Sequence, residues 1–532
     1  MGKYRDILIK CIHIISVILF AWIIFLVIFC ADIMEYACKI KFIVSNLVIC
    51  IFLAGAAFLY RGIVKRRQIA FSDLNYGKIV KVCTVIFFAV QVYVCFNIFF
   101  ITGWDSGEYV LPAAQALAES GNIEAAKGFL NIYPYDFKTI KGFLDMYPNN
   151  LLIVNIYSVI LKLNGKMGIL TGDYQWMSIV VCNCAISSFS CRLIYVIASK
   201  KLEEKYAFAG YVIALALIGM SPWMVICYSD SLALFLPIFM VYVYMNEKIP
   251  YILKYSVIFV GGYLGYCIKP QVLIVIIAII ISECLKRIGQ TGRKMWKRDA
   301  VVVCISGAAV ILAATCLNSL YKREGFDPDS DQKIGMTHYF MMGMNPDRLG
   351  MWSGEDVNLS ASCKNQEERS KKNIEVSKER LKNYGVIGYF KLLSKKMLTN
   401  YNDGTFAWGV EGNFYAMIPD DINTGVSGRL KQIYYNDAPY SWLFYLVEQC
   451  IWIGVILFIG VRTVFAAAAG SRERDYEYLA IILSLIGLTL FELLFEARAR
   501  YLYIYSPVYV IAAVYGIRDL DYRLRKKDKN MY

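Results

Sequence analysis

The feature that most limits this fold is the recurrence of apolar runs approaching bilayer-crossing length, about 18–20 residues for a helix. They occupy 11–30, 42–60, 79–101, 176–198, 206–222, 231–247, 252–267, 271–285, 300–318, 441–461, 477–496 and 502–517. In hydrocarbon the backbone must satisfy its own hydrogen bonds, so the runs predict helices. Of 532 residues, 58% are hydrophobic and 18% charged, whereas soluble domains carry about 25% charge. An all-α polytopic membrane protein with about 12 transmembrane helices is expected.

Charge placement orients those helices. Lys3, Arg5 and Lys10, Lys65 to Arg67, Lys200, Lys201 and Lys205, Lys286 to Arg298, Arg472 and Arg474, and Arg518 to Lys527 fall in loops assigned inside. Outside loops keep few cations: Lys39, Lys41, Lys269, Arg498 and Arg500. Both termini are therefore expected in the cytoplasm, with the chain in the plasma membrane. The formal net charge of +14 then needs no nucleic-acid partner. The apolar run 150–163 is short for a span, and crossing fully would flip the loops around Lys200 and Lys286. It reads as an interfacial or half-crossing helix.

Four regions follow: two N-terminal transmembrane helices over 1–75, a transmembrane catalytic module over 76–318, an extracytoplasmic α-rich domain over 319–440, and C-terminal helices with a basic tail over 441–532. Within the second, 104–175 is one long outside loop, and 109–120 has the spacing of a helix lying on the membrane. In the third, 366–396 reads as amphipathic helix broken near Asn383-Tyr384-Gly385, and 404–413 as a glycine- and aromatic-rich loop at the interface. The 16 cysteines form no CxxC pair and act as small apolar fillers, while two histidines argue against a His-ligated metal. The first run is too long for a leader's core, so no cleavable leader is expected.

The polar residues that escape the apolar runs collect on the outer side. Asp105 and Glu108 follow the third run; Tyr147, Asn149 and Asn150 precede the interfacial helix; Asp230 opens the sixth run. Lys269 lies between the seventh and eighth, His338 and Asn345 in the outer domain, and Arg498 and Arg500 before the last run. Taken singly, several have plainer readings. Asp105, Asn149 or Asp230 can cap a helix, and Lys269 can snorkel. Two arginines on the outer side run against the charge bias. A guanidinium fork grips phosphate. Together, a carboxylate base and a phosphate grip at a membrane surface suit sugar transfer from a lipid phosphate. Asp105 would take an acceptor hydroxyl's proton, and the cations would stabilise the leaving phosphate.

The order Trp104-Asp105-Ser106-Gly107, Tyr147-Pro148-Asn149-Asn150, Tyr228-Ser229-Asp230, Lys269-Pro270, Thr337-His338, Met342-Gly343-Met344-Asn345, Gly404-Thr405-Phe406 and Arg498-Ala499-Arg500-Tyr501 resembles the polyprenyl-phosphate-sugar-dependent integral membrane glycosyltransferases. These form the GT-C superfamily; the likeness is to envelope members related to protein mannosyltransferases and the aminoarabinose transferase. The resemblance implies a GT-C-like helical bundle and a polyprenyl-phosphate-sugar donor. The acceptor would be a glycan, lipid or protein of a bacterial cell envelope. It makes Asp105 the catalytic aspartate, with Glu108 a competitor for the base role, and Asp230 the second-loop acid that places acceptor, donor or a metal. Lys269, Arg498 and Arg500 would hold the donor phosphate, and Trp104, Tyr147, Asn149, Asn150, His338 and Asn345 would line the substrate site. It leaves a divalent cation open. The alternatives are a transporter or flippase, which would hold its polar residues near the midplane, and a polymerase or ligase acting on a lipid diphosphate.

Overall fold

The computed structural model describes residues 2–67, 74–126, 139–288, 293–411, 415–470 and 474–529. Residues 127–138 of the long loop, Gly412 and Asn413 of the glycine-rich tract, and Arg472 lie outside the described residues.

The chain begins with α1 (Gly2–Phe25), α2 (Asn46–Arg67) and α3 (Tyr76–Asn97). The first long loop holds β1 (Ile101–Thr102), α4 (Leu111–Ser120), α5 (Ile140–Met146) and α6 (Leu151–Met167). The bundle continues with α7 (Met177–Ala198), α8 (Glu204–Ala214), α9 (Ser229–Ala233), α10 (Phe235–Met245), α11 (Tyr251–Tyr266), α12 (Leu273–Arg287) and α13 (Arg293–Arg323). The second long region, expected from the sequence to lie outside, contains α14 (Met336–Met342), α15 (Gly354–Ala361), α16 (Gln366–Tyr401), β2 (Tyr415–Met417) and α17 (Gly425–Tyr434). The chain closes with α18 (Ser441–Ala469), α19 (Tyr476–Leu494), α20 (Arg500–Tyr503) and α21 (Ser506–Lys529).

Among the described residues, six helices are long and apolar enough to cross a membrane: Gly2–Cys30, Tyr76–Asn97, Gly172–Ala198, Lys297–Arg323, Ser441–Ala469 and Tyr476–Leu494. Other apolar runs fold as shorter or interrupted helices. Run 206–222 passes into a π-turn, Leu215–Gly219, and then a 3-10 turn, Pro222–Val225. Run 231–247 is divided between α9 and α10. Runs 252–267 and 271–285 give 16- and 15-residue helices joined through a 3-10 turn at Pro270–Val272. Run 150–163 is the 17-residue α6, stopped by Gly168 at φ 64°. Nor is the fold purely helical: Ile101 and Thr102 pair antiparallel with Met417 and Tyr415, tying the end of α3 to the second long region.

The core centres on α21. Val508 through Val514 are fully buried, as expected of a helix apolar on all sides. It packs along α18 and α8, while α12 packs along α19 and α1 along α18. By contrast, the apolar windows of α3 and α13 are 17% and 11% buried, leaving apolar flanks for lipid. The break expected near Asn383-Tyr384-Gly385 falls at Gly385, φ 57°, within α16. The tract from Gly404 is not a surface loop over its described part. Phe406, Ala407 and Trp408 are buried, and the Trp408 indole donates to the Tyr434 carbonyl at 2.7 Å. Its aromatic side chains belong to the core, which overrides the loop composition.

Candidate active site

One cavity of about 750 Å³ opens where the long connecting loops meet the helix ends. Its first wall is the turn after α3. Trp104 adopts φ +58°, a left-handed conformation rare for a bulky residue and typical of sites held by their surroundings. A Cβ on Gly107 would collide with the Thr102 carbonyl, so only glycine lets the chain fold back this tightly. The Ser106 hydroxyl donates to the Cys227 carbonyl at 2.7 Å, fastening this turn to the segment before α9. Asp105 makes no side-chain cap bond to the π-turn Ser106–Val110 that follows it. Its carboxylate instead accepts the Tyr228 hydroxyl at 3.1 Å. Burial raises the Asp105 pKa, opposed by the Arg500 charge and the Tyr228 hydrogen bond. A carboxylate made more basic in this way is suited to accept a proton.

The opposite wall is the segment after α19. Arg498 donates to Glu496 and to Glu411, both at 2.8 Å, and Tyr501 donates to Glu496 at 2.8 Å. Arg500 lies 3.6 Å from Glu411, and its buried Nε has no hydrogen-bond partner. Its guanidinium lies 5.7 Å from the Trp104 ring centre and 5.6 Å from that of Tyr501. Thus Arg498 is held by two carboxylates at hydrogen-bond distance, whereas Arg500 pairs more loosely, its Nε 3.6 Å from Glu411. Burial works against the charge on both guanidiniums, but Glu411 and other nearby acidic groups outweigh it, and the pKa of each is raised.

The floor comes from the ends of α9 and α11. Lys269 pairs with Asp230, and its ammonium lies 4.6 Å from the Tyr501 ring centre. Burial lowers the Lys269 pKa against the pull of Asp230. Asp230 Oδ2 and Asn150 Oδ1 are buried acceptors without partners, on residues that line the cavity. Part of the wall is apolar: Met336, Met342, Met351, Trp352, Phe491 and Phe495. Cys38, from the loop between α1 and α2, reaches it too. The two N-terminal helices therefore help shape the site.

The cavity gathers Trp104, Asp105, Tyr147, Asn149, Asn150, Asp230, Lys269, His338, Arg498 and Arg500 from segments far apart in sequence. It does not gather Glu108 or Asn345. Glu108 lies within the π-turn and is buried; that turn carries it off the cavity face. Asn345 donates to Asp356 at 2.9 Å and accepts the backbone N–H groups of Asp347 and Arg348 at 3.0 and 2.9 Å. It shapes the loop bearing Arg348, itself a lining residue. His338 hydrogen-bonds through Nδ1 to Ser360 at 2.7 Å, and burial lowers its pKa to about 4. It is neutral at physiological pH.

Sequence reasoning gave no role to Glu411, Glu496 or Tyr228. Glu496 stands two residues before Arg498, a visible signal. Glu411 pairs with Arg498 across 87 positions, and nothing local marks it. Lys396 was also missed. Buried on α16, it donates to the carbonyls of Gly343, Leu493 and Phe495 at 2.5–2.9 Å. It thereby fixes the end of α19 and the start of the arginine segment. Among the described residues, no three His, Cys, Asp or Glu side chains gather around one point fit for an ion. Asp105 and Asp230 each already hold another partner. This donor set does not fit a divalent cation, and no step is routed through one.

Among solved structures the chain is similar to the archaeal oligosaccharyltransferase AglB from Archaeoglobus fulgidus, solved in complex with an inhibitory peptide and a dolichol-phosphate. The TM-score is 0.42 at 10% identity, covering 85% of this chain and 52% of that one. The chain thus spans about half the length of that structure's chain. No curated protein matches it. A family model described as a conserved hypothetical integral membrane protein matches residues 6–519; with a membrane-type helical bundle around a buried charged cavity, the chain belongs to that family.

Proposed function

We propose that the protein transfers a sugar from a polyprenyl-phosphate-linked donor to a hydroxyl of a cell-envelope acceptor, on the outer face of the plasma membrane. The observation that carries this reading is Arg500, loosely paired with Glu411 at 3.6 Å and lining the same cavity as Asp105. One wall offers a base, the other a loosely paired guanidinium suited to a phosphate, and the apolar side suits a lipid chain.

In the proposed step Asp105 takes the acceptor's hydroxyl proton as its oxygen attacks the anomeric carbon. The bond from that carbon to the donor's phosphate oxygen breaks, and the electron pair leaves with the lipid phosphate. The phosphate gains one negative charge, which Arg500, with Arg498 and Lys269 behind it, stabilises. Tyr228 orients Asp105 through their hydrogen bond. Asp230 Oδ2 and Asn150 Oδ1 are acceptors available to sugar hydroxyls.

The test is turnover of an extracted polyprenyl-phosphate-sugar pool by the purified full chain, compared with Asp105→Asn. Donor consumption that disappears in the variant, with donor binding retained, supports the assignment. Equal turnover by both rejects Asp105 as the base. No turnover by either, with substrate flux in proteoliposomes, replaces the reading with transport.

A further inference from the structure

A second polar cavity, of about 240 Å³, lies at the opposite end of the bundle. Its position follows from three helices shared with the first. Helix α11 starts at the second cavity with Tyr251 and leads to Ile268 at the first; α12 runs back from Gln271 to Arg287; α19 runs from Glu477 to Phe491. At 1.5 Å per residue, α11 and α19 separate the two by roughly 25 Å. The charge bias assigns this end to the cytoplasm.

Its charges do not cancel. Arg287 is committed to Asp299, Tyr251 and Glu283. Glu283 also accepts the Tyr244 hydroxyl at 3.0 Å, and Glu477 pairs with Lys201 at 3.4 Å. Three cations remain loosely held. Among the described residues Lys254 donates to the Tyr244 carbonyl, at 3.0 Å. Lys286 is 3.8 Å from Glu283 and nearly half exposed. Arg298 lies 4.0 Å from the Tyr251 ring centre, with its nearest carboxylate oxygen at 3.9 Å. Lys254 is drawn to Glu283, Glu247 and Glu477 from a distance and repelled by Lys286 and Lys200. Against these, Glu247 is the one lining carboxylate without an ion pair among the described residues.

We infer that this cavity is a second binding site, for a phosphate group held by Lys254, Lys286 and Arg298 and carried by an anionic lipid headgroup or free in solution. A phosphate would give these loosely held cations a shared partner, and the space exceeds several waters at about 30 Å³ each. Basic pockets between helices at the cytoplasmic surface favour anionic headgroups, each nearby Lys or Arg contributing on the order of 1 kcal/mol. The inference does not rest on the glycosyl-transfer reading.

The experiment is native mass spectrometry of the full chain from micelles containing phosphatidylglycerol or phosphatidylcholine, with and without inorganic phosphate. Retention of phosphatidylglycerol over phosphatidylcholine is expected, falling about 25-fold in Lys254→Ala/Arg298→Ala at about fivefold per cation. Lys166→Ala, an exposed lysine on α6, is expected to retain it fully. If the double variant does not fold, Lys286→Gln, at an exposed position, is read instead, with about a fivefold loss. Retention resistant to inorganic phosphate identifies the lipid source. Binding of phosphate alone, lost in the variant, identifies the free source. Equal retention in wild type and variant, or no binding of either probe, overturns the inference.

Discussion

Two cavities are cut into opposite ends of the same three helices, yet they hold their charges differently. In the outer one the ion pairs are buried and join distant segments: Asp230 with Lys269, and Arg498 with Glu411 and Glu496. In the other, Arg298 is exposed and Lys286 nearly half exposed, and Lys286 and Arg287 pair with Glu283 within one turn of α12. Buried pairs across sequence have few alternative geometries, as a reacting site requires. Exposed charges at helix ends are screened and mobile, which serves reversible attraction of an anion.

The strongest way to break this contrast is Asp105→Asn, which should lower turnover about 100- to 10,000-fold, the range of a general base. An equal loss from a charge change in the opposite cavity would erase the distinction. Next is Lys269→Ala. It leaves Asp230 buried and unpaired, at a cost of about 3–5 kcal/mol, read as a lowered unfolding midpoint. Lys269→Met with Asp230→Asn should recover most of that loss. Arg500→Lys keeps the charge and removes the fork; donor turnover should fall about 10- to 100-fold, measured as kcat/KM. The pH profile sharpens the picture further. Because burial raises the Asp105 pKa, the acid limb of kcat/KM should lie above the ordinary carboxylate range. His338, neutral down to about 4, should add no step near 6.5. Its folded state binds fewer protons than the unfolded chain, so stability falls as pH drops from about 6.5 towards about 4. The smallest effect is expected for Lys286→Ala, under about 0.5 kcal/mol of stability for an exposed pair.

Much of the outer site was legible because membrane chains make polar residues conspicuous. Asp105, Lys269 and Arg498 each interrupt or border an apolar run, and a shared sidedness predicted their meeting. Glu411 had no such border, and its role exists only once the buried tract from Gly404 folds against the end of α19. Glu108 and Asn345 show the converse. Both border the right segments, but a π-turn and a backbone-binding turn direct them elsewhere. Helix continuity was less legible, since hydropathy counts residues and does not register the π-turn at 215–219 or the division between α9 and α10. The chain is a helical membrane protein with six helices of spanning length among the described residues.

The bond pattern of Lys396 has a consequence for modularity. Its ammonium belongs to α16, in the second long region, while two of its three carbonyl partners end α19. That region is therefore no detachable lid. Deleting or exchanging it would remove the ammonium that seats the arginine segment, so domain swaps among related chains should succeed only when the donor helix and the recipient's α19 end travel together.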